Sequence, residues 1–159
     1  MDAARESILA RVCAALRVEA HRPPQPTGTP IFPATGDLET RFRQEFIALR
    51  GEIFETMPDG WSVTGCDCLV AQTGSIFVST RSAAGRAASV LPEMHLVVAR
   101  RDQIVPDLAA AFALLRQRYG DHWPSAISLI TGPSRTADIE KILVMGAHGP
   151  KRLGLYFDA

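Results

Sequence analysis

The sequence predicts an α/β fold whose sheet has substantial parallel pairing and is covered on both faces. Short segments rich in Val, Ile, Leu and Phe alternate with longer segments whose apolar residues recur every three or four positions. These two periodicities indicate strands and helices, and their alternation is typical of βα units. A chain of 159 residues, of which 47% are hydrophobic and 21% charged, is large enough to bury one ordinary core.

Four helices and six strands account for this pattern. The predicted helices span residues 2–18, 37–56, 102–119 and a short segment within 136–144. The predicted strands lie near residues 61–64, 68–71, 75–79, 94–99, 126–131 and 152–157. Pro106 is compatible with the third helix because proline is tolerated in the first turn.

A proline-rich segment separates the first helix from the remainder of the chain. Residues 21–30 carry four prolines, which remove backbone donors and favour an extended arm. We therefore expect residues 1–35 to form a helix and arm, and residues 36–159 to form the α/β domain. The apolar stripe of the helix must be buried, either on the domain or against another chain, so a homo-oligomer formed through this helix is one expected arrangement.

Composition excludes several classes of function. Seventeen basic residues balance seventeen acidic ones, and aromatic residues make up 7% of the chain, so nucleic-acid binding is not expected. The apolar runs fall short of the roughly 20 residues that cross a bilayer, so membrane insertion is not expected either. The N-terminus has mixed charge rather than the basic and apolar blocks of a secretory signal, which predicts a cytoplasmic protein.

The three cysteines indicate reduced thiols rather than a metal site. Cys13, Cys66 and Cys68 are an odd number, and the latter two are too close in sequence for an easy bridge within one strand. Zinc sites and common iron–sulfur clusters use about four ligands. The sequence therefore predicts no metal and no cofactor bound by this chain.

Residues 131–140 carry the densest group of functional side chains. This segment leaves a strand through a Gly-Pro break and reaches the predicted fourth helix, where backbone N–H groups, hydroxyls and a guanidinium suit an anion. The predicted ligand-binding residues here are Thr131, Gly132, Ser134, Arg135 and Thr136. Asp138 and Glu140 are candidates for acid/base catalysis. The structural alternative is that Ser134 or Thr136 caps the helix while Arg135 pairs with one of the carboxylates.

Two further segments could contribute to a site. His148 and Gly149 lie in a glycine turn, where the histidine is a third candidate for proton transfer and the glycine a candidate for ligand contact. Thr73, Gly74 and Ser75 combine hydroxyls with a residue that permits close approach or a positive φ. The alternatives are a structural histidine and a plain turn between strands.

The segments ITGPSRTADIE at 130–140 and GAHGP at 146–150 resemble the C-terminal signature of the lactate-utilisation protein C family, and the resemblance covers residues 60–159. It extends to Thr73-Gly74-Ser75, to Arg86 and to LPEMHLVV at 91–98, and it adds Arg86 to the candidate ligand-binding residues. The family implies an open, mostly parallel Rossmann-like sheet, similar to that of CoA transferases, ribose-phosphate isomerase and formyltetrahydrofolate cyclo-ligase.

The same resemblance implies partners and a reaction. Family members act with an iron–sulfur subunit and a second cysteine-rich subunit to oxidise L-lactate to pyruvate, so clusters are expected in the partners. The sequence departs from the family between about residues 54 and 61, where a βα stretch is shortened to a turn. Gln72 stands where a glutamate is common, which replaces any acidic role by an amide.

The sequence leaves three classes of function open. The first is a non-iron–sulfur subunit of a lactate-oxidising complex that binds a small carboxylate or phosphate at residues 131–140. The second is a stand-alone enzyme of the CoA-transferase or cyclo-ligase type that acts on a phosphorylated or nucleotide ligand, which fold analogy alone favours. The third is an interaction or scaffold subunit without catalysis.

Overall fold

The computed structural model describes residues 2–18, 36–83, 85–136, 144–146 and 148–158. The chain forms two compact units, Met1–Ile31 and Phe32–Ala159. The described part of the first unit is helix α1, Asp2–Leu16, which confirms the predicted N-terminal helix. The proline-rich arm and the predicted boundary at residue 35 lie outside the described residues.

The second unit is a mixed α/β assembly. Its described helices are α2 (Leu38–Ala48), α3 (Ala87–Val90) and α4 (Leu108–Tyr119). Its described strands are β1 (Glu52–Phe54), β2 (Ser62–Thr64), β3 (Cys68–Val70), β4 (Ser75–Ser79), β5 (Met94–Ala99), β6 (Ile104–Val105), β7 (Ile127–Ile130), β8 (Arg135–Thr136), β9 (Val144–Met145) and β10 (Arg152–Phe157).

The strands are divided among three sheets. The first has the order β1-β10-β5-β2 and is parallel throughout, with Gly154 opposite Leu96 in its centre. The second has the order β6-β3-β4-β7, in which β4 runs antiparallel to both neighbours. Strands β8 and β9 form a small antiparallel pair. The predicted α/β class with a mostly parallel sheet is confirmed. The sequence pattern did not indicate that some of the strands form a second sheet.

The second sheet is buried on both faces because its strands alternate between two cores. Leu69 and Ile76 point into a core that also contains Leu155 of the first sheet. Cys68 and Phe77, their neighbours along the strands, point into a core formed with α4. Successive strand residues face opposite sides of a sheet, so a strand buried on both faces has a continuous apolar sequence. This explains why β3 and β4 are apolar without alternation.

Helix α2 ends earlier than its apolar stripe suggested. It begins at the N-cap Asp37, whose carboxylate accepts the backbone N–H of Thr40 at 2.8 Å. It was predicted to reach residue 56, but it ends at Ala48, and Arg50 adopts a φ of 69°. The turn places Gly51 against the ring of Phe46, leaving no room for a Cβ, and β1 follows as an edge strand of the first sheet.

Helix α4 begins later than predicted. A 3-10 turn at Arg101–Gln103 and strand β6 occupy the first residues assigned to this helix. Proline lacks an N–H group and disfavours helical backbone in the preceding residue, so Pro106 separates β6 from the helix instead of lying in its first turn. Asp107 is the N-cap, and its carboxylate accepts the N–H of Ala110 at 2.8 Å.

A polar cluster fastens α4 to the second sheet. Asp67, which precedes β3, is almost fully buried and accepts a hydrogen bond from the Tyr119 hydroxyl. Arg118 donates to the same carboxylate at 3.2 Å, and the Tyr119 hydroxyl also lies 3.0 Å from the Ser79 hydroxyl. Burial, followed by the contact with Asp67, raises the pKa of Tyr119. The cluster therefore satisfies a buried carboxylate and orients the end of the helix.

The buried cysteines are expected to be inert. Burial raises the pKa of the Cys66 thiol to about 12 and that of the Cys68 thiol to about 11, whereas Cys13 is exposed. Because the thiolate is the reactive form, an aromatic disulfide reagent at neutral pH should react rapidly with one thiol in the native chain and with three after denaturation. In Cys13→Ser the rapid native reaction should disappear. Two or more rapid native thiols would contradict the buried placement.

Candidate ligand-binding cleft

A cleft of about 430 Å³ lies where the loop after β7 meets the first sheet. Six of the residues predicted from the sequence line it, namely Thr131, Gly132, Ser134, Arg135, His148 and Gly149. Ser89, His95 and Leu129 also contribute to the lining. The structure therefore gathers the two predicted segments, 131–135 and 148–149, around one space of the size that small-molecule sites have.

The position of the cleft differs from the rule for parallel sheets. It lies at the carboxyl end of β7, as expected for the Thr131 loop, but it also borders His95 and Leu153 at the amino ends of β5 and β10. The rule places ligands at the carboxyl ends of parallel strands. It does not apply here because β7 pairs antiparallel to β4 and belongs to the second sheet.

Gly132 allows the loop to turn against the end of α2. Its φ is +76°, and a Cβ at this position would lie 2.7 Å from the Leu49 carbonyl oxygen. The same hypothetical Cβ would lie 3.6 Å from Nη2 of Arg135. The turn therefore brings the guanidinium of Arg135 back over the loop, beside the cleft.

Residues 134–136, which were expected to lead into the short helix predicted within 136–144, do not begin a helix. Arg135 and Thr136 form strand β8, in register with Met145 and Val144 of β9. The Ser134 N–H donates to the Pro150 carbonyl at 2.9 Å, and the Ser134 carbonyl accepts from Gly146 at 2.8 Å. This backbone N–H is therefore already bonded and does not face an anion. The centre of the predicted short helix, residues 137–143, lies outside the described residues.

Arg135 is the strongest candidate for binding an anion. Its side chain is exposed at the cleft and makes no ion pair or hydrogen bond with any residue that the structure describes. The two predicted acid/base residues, Asp138 and Glu140, lie outside the described residues, as does the alternative in which one of them pairs with Arg135. Ser134 and Thr131 contribute their hydroxyl groups to the same lining.

Hydrogen bonds between hydroxyl groups connect Thr131 to the segment 73–75, outside the cleft lining. The Thr73 hydroxyl donates to Ser75 at 2.8 Å, and the Ser75 hydroxyl lies 2.8 Å from that of Thr131. Thr73, Gly74 and Ser75 are not among the lining residues, although they were predicted to bind ligand. Gly74 instead packs against α2, where a Cβ would lie 2.5 Å from the Phe46 nitrogen. This segment positions a lining residue rather than contacting the cleft.

The remaining predicted residues have mixed placements. Arg86 is exposed before α3 and lies outside the cleft lining, and its carbonyl accepts the Ser89 hydroxyl at 3.2 Å. Thr136 in β8 also lies outside the lining. His148 is exposed at the cleft, and Gly149 allows close approach to Ser134, whose Cβ would lie 3.2 Å from an added Cβ.

His95 is a lining residue that the sequence analysis did not select. Its side chain is fully buried, and Nε2 lies 2.8 Å from Oγ1 of Thr64 on the neighbouring strand. Nδ1 is buried and has no hydrogen-bond partner among the described residues. Burial lowers the pKa of His95 to about 4. The signal in the sequence is a histidine within the apolar strand MHLVVA, and the strand pattern alone does not indicate that this histidine lies beside a cleft.

Neither a metal centre nor a membrane span is found in the described part of the chain. Within it, no group of three His, Cys, Asp or Glu side chains has the geometry to hold a metal ion. No helix among the same residues is long and apolar enough to cross a bilayer.

Sequence comparison gives one family and a set of curated relatives. The family described as LUD domain matches residues 60–157, which include every lining residue named above. "Lactate utilization protein C" of Bacillus licheniformis is 38% identical over 90 residues, which are 55% of this chain and 38% of that protein. "Uncharacterized protein YkgG" of Escherichia coli is 40% identical over 83 residues, which are 51% of this chain and 36% of that protein.

Structural comparison supports the fold. A crystal structure of a duf162 family protein from Deinococcus radiodurans matches with a TM-score of 0.53 and 17% identity, covering 76% of this chain and 95% of that one. The similarity is consistent with a Rossmann-like organisation and concerns the fold alone. The chain spans less than two fifths of the length of the curated relatives it matches.

Proposed function

Because the chain belongs to the LUD domain family, we propose that it takes part in lactate utilisation and binds a small carboxylate in the cleft. The curated relatives named lactate utilization protein C support the process. One observation supports a carboxylate as the ligand: Arg135 has an exposed guanidinium at the cleft, without an ion pair among the described residues. L-Lactate and pyruvate are the carboxylates that fit this process.

The proposed contacts follow from the lining. The guanidinium of Arg135 presents a planar fork that matches a carboxylate and binds it through two parallel hydrogen bonds. The hydroxyls of Thr131 and Ser134 donate to the remaining oxygen lone pairs, and Ser75 holds Thr131 in place. The proposal assigns no anion contact to the Ser134 N–H, because Pro150 already accepts it.

Under this proposal the chain is the non-iron–sulfur subunit of a complex that oxidises L-lactate to pyruvate. The reaction removes two electrons and two protons from lactate, and the electrons pass to clusters in iron–sulfur and cysteine-rich partner subunits. Cys66 and Cys68 lie in the core and do not offer the cysteine set that a cluster uses. His148 at the cleft, together with Asp138 and Glu140, remains a candidate for accepting a proton.

Replacement of Arg135 by alanine is the direct test. A charge-assisted hydrogen bond contributes about 1.5–3 kcal/mol, so Arg135→Ala should weaken pyruvate and L-lactate binding by about 10- to 100-fold. Binding can be measured by calorimetry and by the thermal shift that a native-state ligand produces. Arg116→Ala is the matched control, because Arg116 is exposed on α4 and does not line the cleft.

The same variants extend the test to the complex. In a complex reconstituted with its iron–sulfur partners, Arg135→Ala should lose lactate-dependent reduction of an electron acceptor, whereas Arg116→Ala should retain it. Unchanged activity in a folded Arg135→Ala protein would sink the proposal. Turnover of a phosphorylated or nucleotide substrate by the isolated chain would favour a stand-alone enzyme instead.

A further inference from the structure

One of the residues that line the cleft has a buried polar atom without a hydrogen-bond partner in the described part of the chain. His95 is fully buried at the start of β5 and lines the cleft, yet its Nδ1 has no hydrogen-bond partner among the described residues. An unsatisfied buried polar group costs about 1–3 kcal/mol, so such groups in native proteins call for an explanation. A ligand oxygen or nitrogen in the cleft would supply the missing partner.

The contact with Thr64 determines which tautomer the ring adopts. Thr64 is also buried, and His95 Nε2 is the partner of its hydroxyl among the described residues. If the hydroxyl donates to Nε2, the Thr64 proton is satisfied and Nδ1 carries the ring proton. If Nε2 carried the proton instead, both the hydroxyl proton and the Nδ1 lone pair would be unsatisfied. The first arrangement leaves fewer groups without partners, so Nδ1–H is an oriented donor.

The charge state of the ring agrees with a neutral donor. Desolvation by burial lowers the pKa of His95, and Thr64, its hydrogen-bond partner, is uncharged. The ring is therefore neutral throughout the physiological pH range. A neutral N–H can orient a ligand through a hydrogen bond, and it does not add a second positive charge to that of Arg135.

We infer that His95 Nδ1–H is a specificity-determining donor that binds the oxygen on C2 of a 2-oxo or 2-hydroxy acid. This inference rests on the proposed function, in which Arg135 holds the carboxylate of the same ligand. It adds that the cleft distinguishes pyruvate and L-lactate from propionate, which has the same carbon chain and carboxylate but no oxygen on C2. With propionate bound, Nδ1–H stays buried and unpaired, and the analogue is rejected.

Binding of the matched acids to the full chain tests the selectivity. Because one neutral hydrogen bond contributes about 0.5–1.5 kcal/mol, pyruvate should bind up to roughly tenfold more tightly than propionate. His95→Gln places its amide near the Nε2 position and should abolish this preference. His95→Asn places its amide near the Nδ1 position and should keep part of it. Both variants should retain the Arg135-dependent binding of propionate. This result separates the contribution of Arg135 to carboxylate binding from that of His95 to recognition of the oxygen on C2.

Nitrogen NMR of the chain labelled in its histidines gives a readout that does not depend on activity. The chain has four histidines, so the signals can be assigned with single variants. In the free protein, His95 Nδ1 should give a pyrrole-type signal and Nε2 a pyridine-type signal. Pyruvate should shift the Nδ1 signal, whereas propionate should leave it in place while shifting the backbone amides of Gly132 and Arg135.

The outcomes separate the inference from the proposed function. An Nε2–H tautomer, or equal affinity for pyruvate and propionate with an unchanged His95 spectrum, overturns the role of His95 but leaves carboxylate binding intact. If none of the three acids shifts the amides of Gly132 and Arg135, the proposed carboxylate site fails, and the inference fails with it. A preference for pyruvate that is lost in His95→Gln and partly kept in His95→Asn supports both.

Discussion

Replacement of Gly74 by alanine is expected to destabilise the second unit by on the order of 3 kcal/mol. Gly74 has a φ of +61°, and an added Cβ would lie 2.5 Å from the Phe46 nitrogen and 2.6 Å from the Glu45 carbonyl carbon. Both atoms belong to the backbone of α2, so the overlap cannot be relieved by rotating a side chain. Urea unfolding followed by circular dichroism measures the loss.

Gly60→Ala is the matched control for this variant. Gly60 also has a positive φ, +80°, but an added Cβ would meet nothing within 4 Å. It therefore reports the cost of a positive φ without a steric contact, on the order of 1 kcal/mol. Equal losses in the two variants would show that the contact between the Gly74 turn and α2 is not as tight as the structure has it.

Acidification is expected to destabilise the protein before its carboxylates are protonated. The ordinary pKa of histidine is 6.5, and burial lowers that of His95 to about 4. Between these values the unfolded chain binds a proton that the native chain excludes, so the free energy of unfolding falls as the pH falls. The slope is about 1.4 kcal/mol per pH unit, and the total approaches 3 kcal/mol at about pH 4.

A histidine variant isolates this effect. The carboxylates whose pKa is lowered, among them Glu52 and Glu93, start from ordinary values of 4.5, so they add little slope above about pH 5. In urea titrations between pH 7 and 5, His95→Gln should remove most of the slope. His122→Gln should retain it, because His122 is exposed. A wild-type protein with flat stability over this interval would contradict a neutral buried His95.

Periodicity predicted the strands whose apolar residues form an unbroken run along the chain. The strands at 75–79, 94–99 and 152–157 were predicted at their observed bounds, because continuous apolar runs are typical of strands buried on both faces. The helix bounds were predicted wrongly where the helical spacing of apolar residues continued beyond the end or the start of the helix. Ile53 and Ile104 continued helical spacings, yet they lie in β1 and β6, because the left-handed turn at Arg50 and the break at Pro106 ended or delayed the helices.

The candidate cleft was predicted in part for the same reason. Arg135, Ser134 and Thr131 were found because hydroxyls and a guanidinium follow a strand and a Gly-Pro break within a few residues. His95 was missed because it is separated by about 40 residues from that loop, and an isolated histidine in an apolar strand gives no sign of facing a cavity. Thr73 and Ser75 were found as a pair, but their hydrogen bonds lead to Thr131 rather than to the cleft.

The α/β class, the elements that alternation and capping residues specify, and the loop that carries the arginine could all be predicted from the sequence. These depend on interactions between residues that are near one another in the chain, and such interactions leave a periodic or local signature. Three features could be seen only in the folded chain: the strands divide between sheets, the Ser134 N–H donates to Pro150, and His95 lines the same cleft as Arg135. Those features depend on packing between segments that are far apart in the chain, and such packing leaves no periodic pattern in the sequence.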